Sequence, residues 1–157
     1  MAKQHYEMKT DRPQNMNEQQ MLQLSNIHFA PYIQLATALI GKARHAGGNM
    51  FRHQMDTFAI LLDYGYIDPV LLKASIIHDT IEDIPGFIPE LIVNADEDGK
   101  DVLELVKEVT RREDETKKQF LCRILDEGSQ RAKILKCADR ISNMISLGYQ
   151  SPADSPQ

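Results

Sequence analysis

The sequence predicts an all-α fold of about six to eight helices. Apolar residues recur every three or four positions through most of the chain, and no stretch alternates apolar and polar residues as a half-buried strand does. Glycine and proline separate the periodic stretches, as turn residues do. A length of 157 residues, with 42% hydrophobic and 26% charged residues, is typical of one globular domain.

Both ends of the chain are polar, so the predicted domain occupies residues 18–148. Residues 1–17 are expected to form a flexible N-terminal arm, and residues 149–157 a disordered tail that contains proline and serine. The N-terminus has no apolar signal region, and no apolar run approaches the length of about 20 residues that crosses a membrane. We therefore expect a cytoplasmic protein without a membrane partner.

Three helices are predicted in the first part of the domain, from apolar residues at helical spacing. Pro31 is expected to end the first helix, and Gly65 is the residue expected to follow the third, where a left-handed conformation is common. The predicted ranges are about residues 18–30, 32–45 and 50–64.

The fourth helix is predicted to start at Pro69, with Asp68 as its N-cap, and to continue as far as Pro85. Its C-terminal turn would then contain Asp79, Glu82 and Asp83 at the negative end of the helix dipole. Each carboxylate there costs about 0.3–1 kcal/mol. The anomaly indicates a missing positive charge, for which a divalent cation is the simplest candidate.

Further helices are expected over about residues 88–94, 102–112, 120–127 and 130–147. Cys122 and Cys137 lie in apolar helical contexts, which predicts reduced cysteines in the core of a cytosolic protein. The formal net charge of −5 argues against a nucleic-acid duplex as partner, although a local basic pocket could still bind a small phosphorylated molecule.

Four residues could ligate a metal, although each also has a simpler interpretation. His53 lies among apolar residues and could be an ordinary core histidine. The pair His78-Asp79 ends a strongly apolar helix, and Asp139 lies in another, where a buried acid needs a partner. Lys136, Arg140 or a metal ion could be the partner of Asp139. Asn143 lies one turn further on and can face the same site.

The motifs around these residues resemble those of a known family. Residues 78–83, His-Asp-Thr-Ile-Glu-Asp, resemble the H-D-x-x-E-D motif of the RelA/SpoT-type ppGpp hydrolases and their small, hydrolase-only relatives, a branch of the HD-domain phosphohydrolases. Residues 136–144 resemble the K-L-A-D-R-L-x-N-M motif of that branch, residues 109–111 its V-T-K, and residues 43–47 its A-x-x-H-x-G. The resemblance covers about residues 35–150.

This resemblance implies a single HD-domain helical bundle and a metal-dependent hydrolase of (p)ppGpp, a nucleotide of the stringent response. It implies that His53, His78, Asp79 and Asp139 bind one divalent ion, usually Mn²⁺, although Zn²⁺ or Fe²⁺ would also suit these ligands. The family assigns the acids that here are Glu82 and Asp83 to proton transfer during removal of the 3′-pyrophosphate.

The sequence also departs from the family pattern. Gln54 follows His53 where the family usually has proline, and the loop before His53 lacks an Arg-Lys pair and a Pro-Tyr that help to hold the nucleotide. We predict substrate contacts from Asn143, Arg44, Arg52 and Lys117. Two alternatives stay open: a phosphohydrolase of another small nucleotide, such as a nucleoside monophosphate or the 2′-phosphate of NADPH, and a non-catalytic, metal-stabilised regulatory module. The oligomeric state is also open.

Overall fold

The computed structural model describes residues 16–45 and 47–147. Among these residues there is no β-strand, only an isolated bridge between Ala43 and Asn49, so the all-α prediction is confirmed. Most of the predicted arm and the whole predicted tail lie outside the described residues. The described part contains nine α-helical segments: α1 Glu18–Ser25, α2 Ala30–Ala36, α3 Met50–Asp63, α4 Pro69–Ile77, α5 Thr80–Asp83, α6 Glu90–Val93, α7 Gly99–Glu108, α8 Lys117–Glu127 and α9 Gln130–Leu147.

The central element is α4, in which every residue from Val70 to Ile77 is buried. It contacts α2, α3, α7 and α9, which explains why its sequence is apolar on all sides rather than amphipathic. In contrast, the buried residues of α3, which packs along α9, are three polar residues and one leucine: His53, Gln54, Thr57 and Leu61. The functional residues discussed below come from the region where α3, α9 and the end of α4 meet.

The predicted start of α4 is confirmed. The Asp68 carboxylate accepts a hydrogen bond from Leu71 N–H at 3.2 Å, and Pro69 occupies the first helical position. The predicted end of α3 is also confirmed, since Gly65 has a φ of +79°. The Gly65 and Tyr66 amides donate to the carbonyls of Leu62 and Leu61, which caps the helix in a Schellman arrangement.

The predicted helix over residues 32–45 is wrong at both ends. Pro31 lies in the first turn of α2 and so begins a helix instead of breaking one, as its fixed φ allows. A 3₁₀ turn, Thr37–Leu39, then completes this segment, and Gly41 reverses the chain with a φ of +85°. Helix α1 is likewise shorter than predicted and ends at Ser25.

The prediction of one helix from Pro69 to Pro85 is also wrong, because the helix is interrupted between Ile77 and Thr80. In a continuing helix, the Asp79 N–H would donate to the Ser75 carbonyl. That carbonyl instead lies 2.8 Å from Nδ1 of His78. Glu82 and Asp83 therefore belong to α5, and the dipole argument for placing them at the C-terminus of α4 fails.

Both cysteines are exposed, which contradicts the prediction that they are core residues. Cys122 lies two positions after the buried Phe120, and Cys137 two positions after the buried Leu135. Two residues turn a helix by about 200°, so each cysteine lies on the outward face. None of the described helices is both long and apolar enough to cross a lipid bilayer.

Candidate metal centre

Three parts of the fold bring four potential metal ligands together. His53 lies in the first turn of α3, His78 and Asp79 lie at the break between α4 and α5, and Asp139 lies in the middle of α9. One potential ligand atom from each residue lies within 4.8 Å of the other three. His53, His78 and Asp139 are buried and Asp79 is half-buried, so the group could hold a metal ion beneath the surface.

Each imidazole ring and each carboxylate contributes one atom to this group, and the four atoms lie close together. Nε2 of His53 lies 2.8 Å from Asp139 Oδ1 and 3.4 Å from Asp79 Oδ2. Nε2 of His78 lies 3.2 Å from Asp79 Oδ2 and 3.5 Å from Asp139 Oδ1. Two imidazole nitrogens therefore face two carboxylate oxygens.

The opposite nitrogen of each ring is held from outside this space. His53 Nδ1 lies 2.8 Å from the Ser142 hydroxyl, and His78 Nδ1 donates to the Ser75 carbonyl. With the proton of a neutral His78 on Nδ1, its Nε2 presents a lone pair to acceptor oxygens. This buried Nε2 has no hydrogen-bond partner. A cation would satisfy this lone pair and both carboxylates, so the residues fit a metal ion.

The charges of this group act strongly on one another. Burial lowers the pKa of His78, but the charges of Asp79 and Asp139 outweigh burial and raise the pKa to about 9. Burial likewise raises the pKa of Asp139, yet a hydrogen bond from His53 and the nearby positive charges of His78 and Lys136 hold this pKa well below its usual range. The two carboxylates thus favour a positive charge between them.

The two oxygens of Asp139 have different surroundings, so an ion pair with Lys136 leaves the other oxygen available to a metal ion. Oδ2 lies 2.7 Å from the ammonium of Lys136, which makes Lys136 its ion-pair partner. Oδ1 faces the two histidines and also accepts a hydrogen bond from Asn143 Nδ2 at 3.2 Å. Asn143 in turn accepts a hydrogen bond from the guanidinium of Arg44.

A cleft of about 440 Å³ is lined by three of the four potential ligand residues, His53, Asp79 and Asp139. Glu82 and Asp83 line this cleft. Three of the predicted substrate contacts, Asn143, Arg44 and Lys117, line it too. Six basic side chains line the same space: Lys42, Arg44, Arg111, Lys117, Lys136 and Arg140. The cleft therefore combines a possible metal site with many positive charges, although the chain as a whole is acidic.

Arg52 is the predicted substrate contact that the structure places elsewhere. It lines a neighbouring cleft of about 410 Å³ and lies 3.9 Å from Asp56, one turn further along α3. Arg52 directly precedes His53, and consecutive helical residues diverge by about 100°. The Arg52 side chain accordingly lies on the exposed side of α3, whereas that of His53 is buried.

The two acids at the rim have different environments. Although Glu82 reaches solvent, partial burial of its carboxyl and the charge of Asp79 raise its pKa, against the opposing effect of Arg111. Asp83 is held by Lys42, whose ammonium lies 3.0 Å from its carboxylate and also donates to its backbone carbonyl. One acid thus has a raised pKa, and the other has a positive partner.

Sequence analysis missed several of these contacts. Lys42 and Gln54, which bind Asp83 and Asp79, were not predicted as functional residues, because neither falls within a recognised motif. His45, which belongs to a motif but had no predicted role, is exposed and lines the cleft. The presence of glutamine at position 54, where the family usually has proline, was the one signal in the sequence that this residue has a particular role.

Comparisons with known proteins give two distant relatives, while no protein-family model matches the chain. The sequence is 32% identical over 93 residues to a guanosine-3′,5′-bis(diphosphate) 3′-pyrophosphohydrolase of Xenopus tropicalis, a match that covers 56% of this chain and 49% of that protein. It is 29% identical over 115 residues to a GTP pyrophosphokinase of Streptomyces coelicolor, covering 69% of this chain and 13% of that protein. The chain thus spans half the length or less of these curated relatives.

Proposed function

We propose that this chain is a metal-dependent phosphohydrolase that removes the 3′-pyrophosphate from guanosine 3′,5′-bis(diphosphate). The observation that carries the proposal is the convergence of two histidines and two aspartates beneath a cleft that also contains two acids and six basic side chains. Similarity to the Xenopus pyrophosphohydrolase supports the same substrate class. A nucleotide substrate of this kind also favours a cytoplasmic location.

His53, His78, Asp79 and Asp139 would hold the metal ion, which we propose to be Mn²⁺. Nitrogen and oxygen donors in this combination also accept Zn²⁺ or Fe²⁺. When bound, a divalent cation supplies a Lewis acid and lowers the pKa of water. Ser142 and Ser75 hold the outer nitrogens of the two rings, so both Nε2 atoms stay directed at the ion's position.

Glu82 and Asp83 would handle protons at the rim. Hydrolysis forms a bond from a water oxygen to phosphorus and breaks the bond from phosphorus to the ribose 3′-oxygen. A raised pKa lets a carboxylate accept the proton that the water loses, and we assign this role to Glu82. The departing 3′-oxygen needs a proton in return, and we assign this role to the Asp83–Lys42 pair, in which the ammonium of Lys42 carries a proton.

The basic wall of the cleft would bind the phosphates. Guanidinium groups form bidentate hydrogen bonds with phosphate oxygens, while ammonium groups act as point charges. We assign phosphate binding to Arg44 and Lys117, with Asn143 holding the Arg44 guanidinium in place. A polyanionic substrate explains why positive side chains are concentrated here in a protein with a net charge of −5.

The experiment is turnover of ppGpp by the purified, Mn²⁺-loaded protein, with NADPH and nucleoside monophosphates assayed in parallel. We expect pyrophosphate release from ppGpp, its loss in EDTA, and recovery when Mn²⁺ is restored. Orthophosphate release from another substrate would keep the metal chemistry and overturn the assignment of ppGpp. Tight Mn²⁺ binding without turnover of any substrate would overturn the proposal that the chain is an enzyme and would favour a regulatory module.

A further inference from the structure

Gln54 makes an unusual pair of contacts for a core residue. Its side chain is fully buried, with 0% exposure, and both polar atoms of its amide bind the same residue. Nε2 donates to Asp79 Oδ2 at 2.8 Å, and Oε1 accepts from the Asp79 backbone N–H at 3.2 Å. The amide therefore fixes the main chain and the carboxylate of Asp79 together.

The backbone of Asp79 requires such a partner because it lies at the break between α4 and α5. The carbonyl that its N–H would meet in a continuing helix, that of Ser75, accepts from the His78 ring instead. Gln54 Oε1 supplies the replacement acceptor. The break that directs His78 and Asp79 into the site is thus stabilised from α3.

The contact from Gln54 Nε2 is made to the oxygen of Asp79 that faces the two histidines. Asp79 Oδ2, which accepts from Gln54, is also the oxygen that lies 3.4 Å from His53 Nε2 and 3.2 Å from His78 Nε2. A hydrogen bond to one oxygen of a carboxylate fixes the rotation of the whole group. Since His53 and Gln54 are consecutive, a single turn of α3 positions a ligand of its own and a ligand from another segment.

From these contacts we propose that Gln54 is a positioning residue, which orients the Asp79 carboxylate for metal binding. The inference rests on the metal centre of the proposed function but not on its substrate. Outer groups that hydrogen-bond a metal ligand fix its orientation, and their removal typically weakens metal affinity by about 10–100-fold. The family whose motifs this sequence resembles usually has proline at the position after His53. The contacts of Gln54 with Asp79 are therefore a feature of the present chain.

Thr57 shows that burial alone does not explain these contacts. It lies one turn further along α3 and is equally buried, yet its hydroxyl donates to the His53 carbonyl of its own helix at 2.9 Å. Gln54 instead reaches a residue 25 positions away. Thr57→Val is therefore a matched control that removes a buried hydrogen bond from the same helix without changing Asp79.

The test compares Mn²⁺ binding by the wild type, Gln54→Met and Thr57→Val, using calorimetry and the increase in Tm that Mn²⁺ produces. We expect Gln54→Met to bind Mn²⁺ about 10–100-fold more weakly, with a smaller increase in Tm. Thr57→Val should lower the metal-free Tm but keep the wild-type Kd. A wild-type Kd in folded Gln54→Met overturns the inference, whether or not the protein hydrolyses ppGpp.

If Gln54→Met does not fold, the wild-type protein provides the answer by NMR. Zn²⁺, which is diamagnetic, should shift the side-chain amide signals of Gln54 with the same apparent Kd as the His53 and His78 ring signals. The amide of Gln119, which caps α8 on the surface, serves as the control and should not shift. Gln54 signals that stay unchanged while the ring signals move would overturn the inference.

Discussion

Two groups of buried or partly buried acids flank α4, and they are neutralised in different ways. The first group, the lysine cluster, consists of Lys73, Asp96, Asp98 and Tyr32. The Lys73 ammonium lies between the two carboxylates, 2.7 Å from Asp96 and 2.6 Å from Asp98. The Tyr32 hydroxyl donates to the other oxygen of Asp96 at 2.5 Å. The protein itself therefore supplies the charge that these acids need.

The second group, the imidazole cluster, consists of His53, His78, Asp79 and Asp139. Among the described residues, no ammonium or guanidinium is recorded between its two carboxylates, since Lys136 reaches only the outer oxygen of Asp139. The two carboxylates face the Nε2 atoms of His53 and His78 instead, and the cluster opens into a cleft. The difference indicates that the lysine cluster holds the fold together, whereas the imidazole cluster could hold a metal ion.

The largest expected effect is that of Asp139→Asn, which removes one charge from the imidazole cluster. We expect Mn²⁺ affinity to fall by more than about 100-fold, beyond the range for residues that only support a ligand, and turnover of ppGpp to become undetectable. Calorimetry and pyrophosphate release measure the two effects. A variant that still turns over ppGpp would remove Asp139 from the site.

Glu82→Gln combined with Asp83→Asn should separate proton transfer from metal binding. We expect turnover to fall by about 10²–10⁴-fold, the usual contribution of acid–base groups, while the Mn²⁺ Kd stays within about twofold of wild type. Glu90→Gln, at an exposed acid on α6, is the control. Unchanged turnover in the double variant would exclude both acids from the mechanism.

Lys73→Met should have the opposite pattern, because it breaks the lysine cluster and leaves the proposed metal ligands intact. Removing one partner of a buried ion pair typically costs about 3–5 kcal/mol, and we expect a loss near the lower value because Asp98 is partly exposed. Urea unfolding of the metal-free protein measures the loss, with Lys100→Met as an exposed control. Equal effects of the two substitutions would contradict a structural role for the cluster.

The smallest expected effect is a dependence of stability on acid pH. Burial raises the pKa of Asp96, but hydrogen bonds from Lys73 and Tyr32 and the charge of Lys73 outweigh burial and hold the pKa below its ordinary value of 3.8. A lowered pKa in the folded state stabilises the protein above the ordinary pKa, and the contribution is lost as the pH falls towards the folded value.

Asp96→Asn tests this expectation. The free energy of unfolding of the wild type should exceed that of the variant most at neutral pH, and the difference should shrink as the pH falls below about 4. Urea unfolding across this range measures it. A difference that is constant with pH would show that Asp96 contributes by shape and not by charge.

Local patterns in the sequence were sufficient for much of the fold. The periodicity of α3 and α9 predicted helices close to the observed ones. The start of α4 at Pro69 and the left-handed Gly65 followed from caps that involve only neighbouring residues. Where a helix end depended on a distant partner, the prediction failed. The break after Ile77 is the clearest case. There the His78 ring donates to the Ser75 carbonyl, and the Asp79 N–H donates to the side chain of Gln54 on α3.

The sequence by itself determined the all-α class and named the four residues that the structure brings together, because helical spacing and short motifs are local properties. Only the tertiary structure decided which side chains support that group. The contacts of Gln54 with Asp79 and of Lys42 with Asp83 join residues 25 and 41 positions apart. The position of Arg52 in the neighbouring cleft and the exposure of Cys137 likewise depend on which face of a helix packs against its neighbours. Helical spacing limits which residues share a face, but the contacts between distant helices select the face that is buried.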